Sequence, residues 1–238
     1  MSNKNLETHP EWHTGSDSAQ LNWLRAAVLG ANDGIVSVAA VVVGVAGAAA
    51  DVNFILTAGV AALVGGALSM AVGEYVSVST QRDTEKALLQ KERFELDNYP
   101  EQELEELADI YQKKGLSSET AHVVARELTA NDAFAAHVDA ELGIDPHDLT
   151  NPWHAAYASA VSFLVGGVIP LVMVFTPEDM RVPAIFGGVL LALAVTGSVS
   201  AHVGGADKKT ATLRNIMGGA LAMVITFGVG KLFGIVGL

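Results

Sequence analysis

The sequence predicts an all-α membrane protein with five transmembrane helices and a cytoplasmic three-helix insert between the second and third. Two observations carry this. Half of the 238 residues are hydrophobic and mean hydropathy is +0.37, yet 17% are charged. Such a chain suits a soluble domain only if its charges are segregated, and they are. Five apolar runs hold almost none, and each is long enough to cross a hydrocarbon core, which takes about 20 residues. The second observation is the stretch between runs two and three. It is strongly acidic and carries the start and stop signals of helices.

Residues 1–22 are polar and include His9 and His13. They lack the apolar region of a signal peptide, so they read as a cytoplasmic tail ahead of a retained span. Residues 23–80 hold spans one and two. Ala26–Ala50 carries one charge, Asp33, and Val52–Thr80 carries one, Glu74. No Gly or Pro interrupts the chain from Glu74 to Asn98, so helix two should run on out of the membrane until "DNYP" stops it. Residues 81–150 form the insert. Its second helix, about Glu101–Lys114, sets Leu104, Leu107, Ala108 and Tyr111 on one face before Gly115 ends it. Its third starts at a cap on Ser117 or Ser118 and reaches about Leu142. Residues 151–238 hold spans three to five: His154–Thr176, with a kink expected at Pro170, then Val182–Ala206 and Asn215–Leu238.

Lys and Arg placement sets the orientation. Lys4 and Arg25 precede span one, and Arg82, Lys86, Lys91, Arg93, Lys113, Lys114 and Arg126 lie in the insert. The first hairpin has no basic residue. The N-terminus and insert are therefore expected inside and the C-terminus outside. The membrane is expected to be a bacterial inner membrane, with a vacuolar membrane as the alternative. The net charge is −12 and its acids concentrate in the insert, which argues against nucleic acid as partner and for cations. Cysteine is absent, so thiolate sites are excluded.

Charged groups inside spans cost roughly 2.5–3.5 kcal/mol at a helix centre, so Asp33 and Glu74 call for a cation, a partner or water. The spans carry no deep Lys or Arg to supply one. Asp33 lies near the inner end of span one, and Glu74 a few residues inside the basic flank at Arg82. On helix two, Gly66, Met70, Glu74, Ser77 and Gln81 fall on one stripe. Carboxylate beside thioether suits a borderline divalent ion such as Fe²⁺, Mn²⁺ or Co²⁺ better than Mg²⁺ or Ca²⁺. One protomer offers few ligands, and a homodimer with helices one and two at its interface would double them. In the insert, Glu92-x-x-Glu95 and Glu103-x-x-Glu106 pair carboxylates on successive turns. His137 and Glu141 add an i, i+4 pair, with Glu127 nearby. Carboxylates with a histidine on facing helices suit iron or manganese. Any single pair of this kind reads equally well as a solvated helix face.

Three stretches carry a family resemblance: "GANDGIVSV" (Gly30–Val38), "GALSMAVGEYVSVSTQRDTE" (Gly66–Glu85) and the insert ending "AELGID" (Ala140–Asp145). With them the chain resembles the vacuolar iron transporter family over about Leu21–Leu238. The resemblance implies a five-span homodimer in the lipid bilayer that exports Fe²⁺ and related divalent metals, Mn²⁺, Co²⁺ and Zn²⁺ among them, in exchange for protons. It implies a membrane path at Asp33, Met70 and Glu74 and a metal-binding insert using Glu92, Glu95, Glu103, Glu106 and Glu141. Where some members have paired methionines, this chain has His137 and Val138, so a nitrogen ligand would stand in for soft ones. No resident cofactor and no enzymatic activity are expected, since the metal is the transported substrate. The alternative is a membrane-anchored ferroxidase, iron-binding protein or metal sensor, but anchoring alone does not require acids in the spans.

Overall fold

The computed structural model describes residues 18–48, 51–146 and 149–236. Its seven helices are α1 (Ser18–Ala48), α2 (Val52–Asn98), α3 (Pro100–Lys113), α4 (Ser118–His137), α5 (Pro152–Met173), α6 (Glu178–Val203) and α7 (Lys208–Val236). A π-helical turn, Val138–Leu142, continues α4. No strand occurs among the described residues. Five helices are long and apolar enough to cross a membrane: α1 from Arg25, α2, α5, α6 and α7. The fold class is the one the sequence predicts. The tail histidines His9 and His13 lie outside the described residues, as do the last residues expected in spans one and five.

Helix α1 is central and packs against α5, α7, α2 and α6. Its Ile35, Val38, Val42 and Val43 meet Ile55 and Leu63 of α2, Phe163 of α5, Val189 and Leu193 of α6 and Met223 of α7 in one core. The approach to α5 is as close as two helices can make. A methyl built on Gly30 or Gly34 would overlap the backbone carbonyls of Ser159 and Phe163. The small-residue spacing in "GANDG" thus serves packing within the protomer. The turn into α2 is fixed by Asp51, whose carboxylate accepts from the Asn53 amide at 2.7 Å. Asn151 caps α5 in the same way, accepting from Trp153 N at 3.0 Å with Pro152 at the first position. Helix α5 continues through Pro170 to Met173.

Helix α2 is unbroken over 47 residues. Its buried residues Gly59, Leu63, Ala67, Glu74 and Val78 form one inward stripe. Met70 packs against the same core. Ser77 and Gln81 do not share that face. Both are exposed, and Gln81 is turned to Glu85 on its own helix at 2.8 Å. Beyond the apolar part, α2 forms the insert together with α3 and α4. Leu107 and Ala108 of α3 pack on Ala125 of α4, with Leu104 and Tyr111 alongside, which is the face expected for α3. Ser117 is the N-cap of α4, accepting from Thr120 N at 3.3 Å. The sequence reading missed a break in α4. Asp132 is extended (φ −159°, ψ 98°), and its carboxylate accepts from Ala135 N at 2.9 Å. It acts as an internal N-cap that restarts the helix in a new direction.

Candidate metal centre

The restarted end of α4 faces the far half of α2. Arg93 of α2 stacks over the Phe134 ring, 4.5 Å from its centroid, and holds the two together. This places His137 fully buried, with Nδ1 3.1 Å from Glu92 Oε1 and 3.6 Å from Glu103 Oε2. Neither approach has hydrogen-bond alignment. Both ring nitrogens of His137, and Oε1 of Glu92, are buried without a hydrogen-bond partner. Buried polar atoms are almost always satisfied, so three orphans in one spot mark a place built for another group. Among the described residues, Glu92, His137 and Glu141 are the one group whose ligand atoms lie within 4.8 Å of one another. Glu141 sits on the π-helical turn, closed by Gly143 N bonding to Val138 O, and is exposed. The cluster is thus closed on the α2–α3 side and opens to solvent at Glu141.

The electrostatics fit a cation. Burial, then the charges of Glu141, Glu103 and Glu95, push the Glu92 carboxyl up to about 7. A hydrogen bond with Glu141 keeps the proton on Glu92. Burial raises Glu103 and Glu141 as well, helped in both by the charge of Glu106. Burial lowers His137, which keeps its imidazole neutral and able to ligate. Glu106 is exposed at the edge of the cluster, and Glu95 is tied to Lys91 at 2.8 Å. Nitrogen with several carboxylates suits Fe²⁺, Mn²⁺, Co²⁺ or Zn²⁺. Glu127 is exposed and outside the group.

The three candidates in the spans are arranged differently. Counted from the Ala48–Val52 turn at 1.5 Å per residue, Arg25 and Glu74 lie about 33–35 Å along their helices, Met70 about 27 Å and Asp33 about 22 Å. In a hydrocarbon core about 30 Å thick, Asp33 is then the deeper carboxylate, not a residue at the helix end. It accepts a hydrogen bond from Ser37 Oγ at 2.5 Å. It also lines a cavity of about 340 Å³ with Asn32, Arg214 and Asn215. Glu74 is buried, 8% exposed, and accepts from Arg25 Nη2 at 3.0 Å. This corrects the expectation that Glu74 lacks a basic partner. Arg25 precedes the apolar run in sequence, but α1 is already helical there, and the antiparallel hairpin brings the start of one span level with the end of the next. Asp33, Met70 and Glu74 do not form one ligand shell within the protomer.

Two other features were missed. Thr196 Oγ1 donates to Asn32 Oδ1 at 2.7 Å and Asn215 Nδ2 reaches the same oxygen at 3.4 Å, tying α1, α6 and α7. Arg25 had a signal, its place one residue before the first apolar run. Asn32, Thr196 and Asn215 had none, because their alliance depends on helices far apart in sequence.

A five-span helical bundle with buried acids and a histidine–carboxylate insert defines an integral membrane protein built to handle cations. The sequence model of the VIT family matches residues 24–231, and the chain belongs to that family. This is a family of transporters, not enzymes. The chain is 49% identical to a vacuolar iron transporter of Acanthamoeba castellanii over 88% of its own length and 78% of the relative's. It is 37% identical to vacuolar iron transporter homolog 1 of Oryza sativa subsp. japonica (92% and 78%). To vacuolar iron transporter homolog 2 of Arabidopsis thaliana it is 34% identical (100% and 97%).

Proposed function

We propose that the protein carries Fe²⁺, and with it Mn²⁺, Co²⁺ and Zn²⁺, out of the cytosol in exchange for protons. The observation that carries this reading is the buried, unpartnered His137 among Glu92, Glu103 and Glu141. On this reading the insert faces the cytosol and gathers ions at those four residues, with Glu95 and Glu106 at the rim. Clustered carboxylates raise the local cation concentration. The ion then passes Glu74, the softer Met70 one turn deeper, and Asp33. A carboxylate at the edge of the hydrocarbon takes a divalent ion or a proton in alternation, which is what exchange requires. Because one protomer does not gather the three into a shell, the path is completed by a two-fold partner that brings a second set. Whether the membrane is a bacterial inner membrane or a vacuolar one, the ion leaves the cytosol.

The test is Fe²⁺ uptake with internal pH recorded in the same proteoliposomes. Glu74→Gln should lose both metal flux and proton counterflow. Met70→Leu should broaden metal choice while the remaining flux stays proton-coupled. Wild-type flux and counterflow in Glu74→Gln would place the exchange elsewhere. Replacing Glu92, Glu95, Glu103 and Glu106 together by Gln should weaken uptake at low Fe²⁺ without preventing membrane insertion. Unchanged metal binding in that variant would remove the insert from the reading.

A further inference from the structure

The Arg25–Glu74 pair is lopsided. The carboxylate is 8% exposed and the guanidinium side chain 55%. Only one hydrogen bond joins them, from Nη2 to Oε1 at 3.0 Å, rather than the two-pronged arrangement that makes such pairs strong. A clamp holding α1 to α2 would have both partners buried or a bidentate fit. Here one partner cannot leave and the other can, since a half-exposed guanidinium loses little by swinging into water. The pair lies at the insert end of the hairpin, with Met70 one turn deeper and Asp33 deeper still on the facing helix. An ion coming from the insert side meets Arg25 before it meets any of them.

We propose that Arg25 is a tethered counter-ion: it occupies Glu74 between transport events, and the arriving metal ion must displace it. Two positive charges cannot share one buried carboxylate, so each metal ion that binds there expels the guanidinium, and each that leaves lets it return. Arg25 thereby keeps the buried acid neutralised without a loose ion and sets a minimum strength for the cation that replaces it. A monovalent ion gains too little from one carboxylate to expel a guanidinium. A divalent ion that also gains Met70 does not face that limit. The proposal rests on Glu74 being part of the metal path.

The chain has no cysteine, which permits a direct test. Arg25→Cys, Arg25→Lys and Glu74→Gln are made in the full-length protein, reconstituted, and assayed for Fe²⁺ uptake over a range of concentrations. Arg25→Cys should lower the KM for Fe²⁺ by about three- to five-fold, the scale of a half-exposed ion pair. Arg25→Lys should stay near wild type. Modifying Arg25→Cys with a cationic methanethiosulfonate reagent should raise KM back, and a neutral reagent of the same size should not. A merely structural tie would instead reduce the maximal rate or the amount of folded protein, with KM unchanged or raised, and would not discriminate between reagents. Either result overturns the proposal. If Arg25→Cys does not reach the membrane, Arg25→Lys with a KM raised more than ten-fold overturns it too. If Glu74→Gln transports like wild type, the reading of the path has failed. If Glu74→Gln is inactive while Arg25→Cys keeps the wild-type KM, only the counter-ion proposal has.

Discussion

His137 and Glu92 make opposite demands of pH. The Glu92 carboxyl, pushed up to about 7 from an ordinary 4.5, holds its proton in the folded protein longer than in the unfolded chain. Its contribution to stability is therefore fully present below about pH 4.5 and is lost as pH rises through about 7. Thermal unfolding of the metal-free protein should show this decline, and Glu92→Gln should flatten it. Metal binding needs the same proton to leave, so Co²⁺ loading should weaken as pH falls below about 7. Direct titration at several pH values checks both the affinity and the proton released. His137, lowered by burial, stays neutral over that range and supplies nitrogen throughout. His137→Ala should cost Co²⁺ and Zn²⁺ binding at least about ten-fold and Mn²⁺ less, because Mn²⁺ is content with oxygen. Both residues were legible as candidates from the ExxE and i, i+4 spacings. Their burial was not, since spacing on one helix says nothing about what covers it. Arg25 shows the same limit. It was counted as a topological charge because its partner lies 49 residues away.

At the level of helices, local signals were reliable and breaks were not. The apolar runs, the "DNYP" stop, the Ser117 cap and the α3 face all appear where the residues indicate. The break at Asp132 does not, because Asp is tolerated on an exposed helix face and acquires capping geometry only when tertiary packing pulls the chain open. Asp132→Ala should remove that internal cap at a cost of about 1 kcal/mol. It should let the end of α4 straighten, moving His137 off Glu92. Metal affinity should fall while the Leu107–Ala125 packing of α3 and α4 survives, as hydrogen exchange over 100–128 would report. In the membrane part the sensitive contact is α1 on α5. Gly34→Ala sets a methyl against a carbonyl that cannot move without its helix, and overpacking of this kind costs about 1–3 kcal/mol. Its melting temperature in detergent should fall clearly, whereas Gly218→Ala, which faces open space, should leave it unchanged.

Across the whole molecule, the basic residues and the odd number of spans make one claim together: the insert and the C-terminus lie on opposite sides. A C-terminal reporter active only in the cytosol should be silent while one placed in the insert gives signal, and signal from both would remove the five-span arrangement. The separation of capture and mouth follows from α2 being a single rod. Glu92 lies about 27 Å beyond Glu74 along it, with no hinge to close the gap. The ion cannot be handed over by contact and must cross by diffusion. A single ion confined within that radius has an effective concentration on the order of ten millimolar. The site at Glu74 therefore has no need of high affinity. It can bind weakly, release quickly, and leave the task of scavenging dilute metal to a store held one rod-length away.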